Sequence, residues 1–273
     1  MNEVRQPSRI RVGVGGWVFE PWRNNFYPAG WPHARELEFA SRQFGVIEIN
    51  GTFYHLQKPA TYARWAAEAP EGFKFSLKAS RFCTYRRVLA EAAESVQRFS
   101  GSGIAELGLK LGPIVWQFAP TKRFEPDDLG AFIDMLPQQV DGVPLQHALE
   151  VRHESFKCAE YVELARGRAI TTVFTDSPDY PSFADISGSF VYARIMRTES
   201  QLADGCTPEA LDQLAACSLS WRNGDEPAGL PRLGAASSAG ASRDVYLFFI
   251  SAAKEKAPAA ALALQVRLAR LDI

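Results

Sequence analysis

The feature that most constrains the fold of this chain is a repeated alternation between short apolar runs and amphipathic helical patterns. The apolar runs are rich in β-branched and aromatic residues, and they occur at residues 9–16, 45–50, 73–78, 113–118, 147–151, 169–175, 190–195 and 244–250. Helical patterns lie at residues 35–44, 61–69, 91–99, 126–137, 159–166, 208–219 and 258–271. Near-continuous apolar strands are typical of a parallel sheet that is buried on both faces. The sequence therefore predicts an α/β protein with a closed (β/α)8, TIM-barrel-like fold.

The length and composition agree with one barrel domain. A chain of 273 residues with 47% hydrophobic residues can fill the core of such a barrel, so we predict a single domain over residues 1–273. The irregular part is residues 196–243, a long insertion between strands seven and eight. It holds one predicted helix and a stretch at 235–241, rich in Ala, Ser and Gly, that we expect to be weakly structured. This insertion is either a lid over the barrel or a loose excursion.

Charge and cysteine content limit the classes of partner and compartment. The formal net charge of −1 gives the surface as a whole no attraction for nucleic acid or for an anionic membrane. Residues 1–8 are polar, and no apolar run reaches the length of a membrane span. The four cysteines contain no Cys-x-x-Cys pair, which favours reduced thiols over a zinc site or a disulfide framework. The sequence therefore predicts a cytoplasmic protein with no membrane partner, and it does not indicate an oligomeric state.

Strand two carries polar residues that a buried strand does not need. Glu48 and Asn50 alternate with Ile47 and Ile49, so both polar side chains point to the same face. Burial of an unpaired carboxylate costs several kcal/mol. Glu48 must therefore be paired within a core network, or it lies at an open strand end where a ligand can meet it.

Polar residues also follow or end most of the other strands. In α/β barrels the active site lies at the C-terminal ends of the strands, so polar residues there favour function. The predicted set is Glu48, Asn50, Lys78, Arg81, Gln117, Glu150, Arg152, His153, Asp176 and Arg194, with Trp17 and Tyr54 as apolar walls. The alternative is a solvated rim, or a set of mutual ion pairs that holds the barrel mouth open.

Several motifs resemble a known family. They are Gly13-Val14-Gly15-Gly16-Trp17, Glu48-Ile49-Asn50-Gly51-Thr52-Phe53-Tyr54, Phe73-Lys74-Phe75-Ser76-Leu77-Lys78-Ala79, Gln117-Phe118-Ala119-Pro120, Glu150-Val151-Arg152-His153 and Tyr192-Ala193-Arg194. Together they span nearly the whole chain and resemble the YecE-like family, domain of unknown function 72. The resemblance implies a TIM-barrel-like fold and a candidate pocket. It implies no reaction, because the family has none assigned.

The chain departs from the family pattern at three places. Tyr85 stands where a His often follows Thr84, Met196 lies where a His-Gly pair often follows the strand-seven Arg, and Ile250 lies where strand eight often ends in Asn. These departures remove polar groups from one side of the mouth. With respect to the family, they imply either a changed substrate or a loss of catalysis.

The leading hypothesis is an enzyme that performs acid-base chemistry on a small anionic metabolite, such as a sugar acid or a phosphate. Glu48 and Glu150 are the candidates for proton transfer, and Lys78 is the basic or electrostatic partner. The anion clamp would comprise Arg81, Arg152 and Arg194, because guanidinium groups match carboxylate and phosphate geometry. Asn50, Gln117, His153 and Asp176 would complete the ligand-binding set.

Three alternatives remain open from the sequence. The first is a ligand-binding or regulatory protein without turnover. The second is a metal-dependent phosphoesterase that acts on nucleic acid, with Glu48, Glu150, His153 and Asp176 around a divalent metal. No cofactor is predicted, and the metal is the less favoured chemistry. The third is a Schiff base on Lys78. It is less favoured, because several cations near a lysine are also what a plain anion-binding site would contain.

Overall fold

Eight parallel strands form a closed barrel in the computed structural model of the protein, which describes residues 9–235, 240 and 242–271. The strands are β1 (Ile10–Gly15), β2 (Val46–Ile49), β3 (Lys74–Lys78), β4 (Leu111–Gln117), β5 (His147–Glu150), β6 (Thr171–Thr175), β7 (Phe190–Ile195) and β8 (Asp244–Phe249). Each strand pairs with the next one along the chain, and β8 pairs with β1. The predicted closed (β/α)8 fold is confirmed. The polar residues 1–8, and residues 236–239 and 241 of the stretch expected to be weakly structured, lie outside the described residues.

Helices connect most of the strands and pack around the barrel, whereas the described chain between β6 and β7 contains no helix. They are α1 (Glu36–Gln43), α2 (Pro59–Glu68), α3 (Ala93–Ser100), α4 (Pro126–Asp134), α5 (Ala159–Gly167), α6 (Pro208–Arg222) and α7 (Ala257–Leu271). Proline opens α2, α4 and α6, where its fixed φ suits the first helical turn and its missing N–H is not needed. None of the helices in the described ranges is long and apolar enough to cross a membrane.

Shorter elements complete the chain. One-turn α-helices follow β2 and β3 at Gly51–Tyr54 and Arg81–Thr84. The 3-10 helices are Glu20–Asn24, His33–Arg35, Leu89–Glu91, Ile104–Lys110, Glu154–Phe156 and Lys254–Lys256, and a two-stranded hairpin pairs Gln139–Val140 with Val143–Pro144. The one-turn helices were not predicted, because four residues carry no detectable helical period.

Local backbone geometry explains where the strand boundaries differ from the prediction. β2 ends at Ile49 rather than at Asn50, because Asn50 already has helical dihedral angles of φ −82° and ψ −20°. β6 begins at Thr171 rather than at residue 169, because Ala169 has the left-handed φ of 50° that an extended strand cannot contain. The C-terminal ends of both strands still reach the same edge of the barrel.

Side chains fill two separate layers, one inside the barrel and one between the barrel and the helices. The inner layer includes Val46, Val115, Ala148, Tyr192 and Phe248. Because side chains alternate along a strand, the residues two positions further on also point inward. This alternation places Glu48, Gln117, Glu150 and Arg194 inside the upper part of the barrel, directly above the apolar layer.

The insertion between β7 and β8 supplies the outer helix that follows β7. Its helix α6 packs against α7 and β8, with Leu211, Ala215 and Trp221 buried. Asp185, which precedes β7, accepts hydrogen bonds from the backbone N–H groups of Leu233 and Gly234 at 2.9 Å each, and these bonds hold the later part of the insertion against the barrel. The described part of the insertion therefore lies on the side of the barrel.

Candidate functional site

A cavity of about 680 Å³ opens at the C-terminal ends of the strands. Its lining comes from the loops after β1, β2, β3, β5 and β8 and from the inward ends of β3, β4 and β7. The lining residues are Gly15, Gly16, Trp17, Val18, Ile49, Asn50, Gly51, Phe53, Tyr54, Gln57, Trp65, Lys78, Tyr85, Gln117, Arg152, Arg194, Phe249, Ile250, Ser251 and Lys254. None of the described residues between 197 and 243 lines it, so the described part of the insertion is not a lid.

The floor of the cavity is an ion-pair network centred on Arg194. The guanidinium binds Glu48 through two parallel contacts, Nε to Oε2 at 3.1 Å and Nη2 to Oε1 at 2.9 Å. Its third nitrogen, Nη1, donates to Oε2 of Glu150. The Tyr192 hydroxyl, from the layer below, also donates to Glu48 Oε2 at 2.7 Å. Glu48 is therefore paired in a core network, which is the first of the two arrangements that the sequence allowed.

Glu150 is held in its charged form by its neighbours. Arg152 donates to Oε1 from Nε at 3.0 Å and from Nη2 at 2.9 Å, and Gln117 donates to Oε2 at 2.8 Å. Burial by itself raises the pKa of Glu150. The positive charges of Arg194 and Arg152, the hydrogen bond from Gln117 and the charge of Lys78 outweigh the effect of burial and lower the pKa to about 2. Glu150 therefore carries no proton to donate near neutral pH.

Glu48 and Glu150 are sealed beneath the cavity, and neither carboxylate is among its lining residues. The proton transfer predicted for these two carboxylates would require a ligand to reach them. The structure instead uses them to fix the side chains of Arg194 and Arg152. Arg194 itself lines the floor, but all three of its nitrogens are bonded to carboxylates.

Lys78 is the buried cation that this network leaves unpaired. The residue is 8% exposed, and its Nζ lies 4.1 Å from the centroid of the Phe53 ring. It makes no ion pair or hydrogen bond through Nζ with any described residue. Burial and the nearby charge of Arg194 lower its pKa to about 8, against the opposing attraction of the two carboxylates below.

Arg152 reaches the cavity from the loop after β5. Its guanidinium stacks on the ring of Tyr180, 4.2 Å from the ring centroid, and its Nε and Nη2 are taken by Glu150. The remaining nitrogen, Nη1, has no hydrogen-bond partner among residues 9–235, 240 and 242–271. Glu150 and Tyr180 therefore fix the orientation of this arginine, and the N–H groups of Nη1 stay available to a ligand.

Lys254 is a cavity residue that the sequence reasoning missed. It lies in the loop after β8, where its Nζ is 4.4 Å from the centroid of the Phe19 ring. The preceding Ser251 and Ala252 both have left-handed φ values, 62° and 45°, which are costly for residues other than glycine. This bend brings the chain back over the barrel mouth. A search for polar residues that extended a few positions beyond strand eight would have found Lys254.

Aromatic residues form the walls. Trp17 packs edge-on against Trp65, with ring centroids 5.3 Å apart, and Phe53 makes similar contacts with Tyr54 and Tyr85 at 5.1 and 5.2 Å. Tyr54 and Tyr85 are 53% and 43% exposed, so they form the outer rim. Trp17 and Tyr54 lie where the sequence placed them, whereas Phe53 and Trp65 were not predicted as lining residues.

Two of the three departures from the family pattern also line the cavity. These are Tyr85 and Ile250, while Met196 belongs to the apolar layer inside the barrel. The differences in sequence therefore alter the wall of the pocket itself.

Besides Glu48 and Glu150, three more residues predicted for the site do not line this cavity. Arg81 is exposed on the one-turn helix after β3, with its guanidinium 5.5 Å from the centroid of the Phe82 ring. His153 accepts a hydrogen bond from the backbone N–H of Ser155 at 3.1 Å and caps a 3-10 helix. Asp176 accepts one from the backbone N–H of Met196 at 2.6 Å and lines a different cavity, beside α6. Asn50 and Gln117 do line the main cavity.

The carboxylates and histidine proposed as metal ligands are not brought together. No group of three His, Cys, Asp or Glu side chains in the described part of the chain could hold a metal ion. Glu48 and Glu150 face the barrel interior, whereas His153 and Asp176 serve as local backbone caps. The donor set for the metal-dependent alternative is therefore not assembled.

Comparisons with known proteins place the chain in a family. The family model described as "Protein of unknown function DUF72" matches residues 11–272. UPF0759 protein YecE from Escherichia coli K12 is 29% identical over 176 residues, which cover 62% of this chain and 59% of that protein. UPF0759 protein YunF from Bacillus subtilis strain 168 is 24% identical over 159 residues, which cover 56% and 54%. The aligned part of the chain thus spans less than two thirds of either relative.

Solved structures show the same fold. A DUF72 family protein from Thermotoga maritima superposes with a TM-score of 0.70 at 21% identity, covering 96% of this chain and 98% of that one. A DUF72 family protein from Enterococcus faecalis gives a TM-score of 0.66 at 15% identity, covering 97% and 98%. The resemblance seen in the sequence motifs is confirmed, and the chain belongs to the DUF72 family of proteins of unknown function.

Proposed function

We propose that the cavity binds a small organic anion, such as a sugar acid or a phosphate ester, and performs acid-base chemistry on it with Lys78 as the proton-transferring group. The observation that carries this proposal is the charge of the wall. Lys78, Arg152, Arg194 and Lys254 line the cavity, and no Asp or Glu from the described ranges lines it. A concave site with several cations and no facing carboxylate favours an anionic occupant.

The available donors support binding of a carboxylate or phosphate group. Lys78, Lys254, the free Nη1 of Arg152 and the side-chain amide of Asn50 have no hydrogen-bond partner among the described residues, although they line the same space. Arg152 is pre-oriented by Glu150, so little conformational entropy is lost when it binds. The aromatic wall of Trp17 and Tyr54 suits the apolar face of a sugar or another small ring.

Lys78 is the group best suited to proton transfer. With a pKa of about 8, a useful fraction of its amine is neutral near neutral pH, whereas an ordinary lysine is almost fully protonated. Glu150, with a pKa of about 2, can accept a proton only weakly and acts instead by positioning Arg152. We place this activity in the cytoplasm, because all four cysteines are free thiols.

Thermal shift assays with a panel of small anions test the proposal. Phosphate, glucuronate, gluconate 6-phosphate and citrate would be compared with neutral sugars, and we expect at least one anion to raise the melting temperature. The Arg152→Ala variant should lose this shift. Arg81→Ala removes the same charge from an exposed position outside the cavity, so it should keep the shift.

Equal shifts in both variants would refute the binding role of Arg152. Product analysis with the anion that binds then separates an enzyme from a ligand-binding protein without turnover. A nucleic-acid ligand would instead show a steep loss of affinity with added salt, beyond the one or two charge contacts that a small anion makes.

A further inference from the structure

We propose that the Lys78 amine forms an imine with the carbonyl carbon of a 2-oxo acid bound in the cavity. This inference rests on the anion-binding function proposed above and names the class of anion. It assigns Lys78 a covalent role in addition to proton transfer.

The pairing pattern around Lys78 carries the inference. Both carboxylates near it are occupied, because Glu48 is bonded by Arg194 and Tyr192, and Glu150 by Arg194, Gln117 and Arg152. A buried lysine with a structural role is normally paired with a carboxylate. Here the amine instead lies over the Phe53 ring and lines the wall of an open cavity. Such a position leaves its lone pair accessible to a ligand once the proton has left.

The protonation state supports nucleophilic attack. Burial and the nearby Arg194 charge lower the pKa of Lys78 to about 8, so about a tenth of the amine is neutral at pH 7. An ordinary lysine at this pH is neutral in fewer than about one molecule in a thousand. Burial also lowers the pKa of Lys254, but that residue lies higher at the mouth and is more exposed.

The rest of the cavity suits a carboxylate next to the reacting carbonyl. The free Nη1 of Arg152, the Lys254 ammonium and the Asn50 amide can each donate a hydrogen bond to a carboxylate. A 2-oxo acid places that carboxylate on the carbon adjacent to its carbonyl. One small molecule therefore engages both an anion donor and Lys78.

The reaction balances with water and protons alone. The neutral amine attacks the carbonyl carbon, and a proton passes from nitrogen to the carbonyl oxygen through cavity water to give a carbinolamine. The nitrogen lone pair then expels the hydroxyl group, which leaves as water after it gains one proton from solvent. The product is a protonated imine whose positive charge occupies the place of the former ammonium, beside Glu48 and Glu150.

Reductive trapping tests the imine directly. The protein would be incubated separately with pyruvate, glyoxylate and 2-oxoglutarate, reduced with sodium borohydride and analysed by intact mass and peptide mapping. We expect one reduced adduct for at least one acid, on the peptide that contains Lys78. The Lys78→Arg variant should lose it, and Lys157→Arg, a matched change at an exposed surface lysine, should keep it. Acetone, which lacks the carboxylate, should give about tenfold less adduct than pyruvate, the factor expected for one lost charged hydrogen bond.

Thermal shifts separate failure of the imine from failure of anion binding. Lactate carries the carboxylate of pyruvate without its carbonyl group. If pyruvate and lactate both stabilise the protein and no adduct forms with any of the three acids, the imine is refuted and anion binding stands. Adducts on Lys254, or spread over surface lysines, also refute the role of Lys78. If no anion stabilises the protein and no adduct forms, the proposed function and the imine fail together. Peptide mapping of the unmodified sequence assigns the lysine even if Lys78→Arg does not fold.

Discussion

Replacement of Lys78 by methionine should stabilise the folded protein at neutral pH. Lys78 is charged and buried above a network whose carboxylates already have partners. Methionine has a similar length, carries no charge and packs well against aromatic rings. The variant therefore removes an unfavourable buried charge from the cavity while keeping the side-chain volume.

The pKa of Lys78 gives the magnitude. Burial is the largest cause of the lowered pKa of Lys78, followed by repulsion from Arg194. The charges of Glu48 and Glu150 raise this pKa, and the charge of Arg152 lowers it further. The fall from 10.5 to about 8 corresponds to about 3 kcal/mol of unfolding free energy, at ~1.36 kcal/mol per unit. Loss of the contact with the Phe53 ring offsets about 0.5–1 kcal/mol of this gain. We expect a net stabilisation of about 2–3 kcal/mol at pH 7.

The pH dependence provides a sharper test than the magnitude. Below about pH 8 both the folded and the unfolded chain hold the Lys78 proton, so the full penalty is present. Between about pH 8 and 10.5 the unfolded chain binds more protons than the folded chain, so the stability of the unmodified protein rises with pH. The advantage of Lys78→Met should therefore shrink across this window and largely vanish above it.

Urea unfolding at pH 7 and at pH 10.5 measures both effects. Lys157→Met, at an exposed lysine paired with the exposed Glu154, is the control and should change the unfolding free energy by less than about 0.5 kcal/mol. A Lys78→Met variant that is less stable at pH 7, or whose advantage is the same at both pH values, would refute the view that Lys78 is an unpaired buried cation. The same variant should also lose anion-induced stabilisation, because it lacks the charge that the ligand meets.

Three further predictions concern the barrel beneath the cavity. Arg194→Ala leaves Glu48 and Glu150 buried without their shared cation, so urea unfolding should show a loss of about 3–5 kcal/mol in unfolding free energy. A loss of less than about 1 kcal/mol would contradict the ion-pair network. Because the pKa of Glu150 is lowered from 4.5 to about 2, its contribution to stability is complete above about pH 4.5 and is lost as the pH falls toward 2. Measurements of the unfolding free energy at decreasing pH should show this loss, and Glu150→Gln should reduce the pH dependence. Gly13→Ala would place a methyl group 1.7 Å from a backbone oxygen of β2, so it should destabilise the barrel by more than about 2 kcal/mol. Gly167→Ala, where the added carbon meets open space, is its control and should be neutral or slightly stabilising in the same assay.

The sequence was sufficient to predict the architecture and the location of the pocket. Eight apolar runs, most of them separated by helical patterns, allow few arrangements other than a closed parallel barrel. The strand-end rule placed Lys78, Gln117, Arg152 and Arg194 at the edge where the cavity lies. These features are set by local periodicity and by chain order, which can be read directly from the residues.

The roles of individual residues depended on the tertiary structure. His153 and Asp176 follow the ends of their strands just as Arg152 does, yet they cap nearby backbone N–H groups and do not line the main cavity. Lys254 lies beyond the strand end and reaches the cavity only because the chain bends back after β8. Whether a polar side chain after a strand caps a nearby backbone N–H group or lines the pocket depends on the backbone geometry of a few residues. Strand periodicity does not encode that geometry.

The sequence by itself determined the barrel, the edge of the barrel at which the pocket lies and the presence of lysine and arginine side chains at that edge. Only the tertiary structure decided that Arg194 binds Glu48 and Glu150 together and that no carboxylate of the described residues pairs with Lys78. The physical reason is that ion pairing is set by distances of about 3 Å between strands that are far apart in the chain. The sequence shows how many carboxylates could pair with Lys78, whereas the closed barrel determines which of those carboxylates are already bonded to arginine.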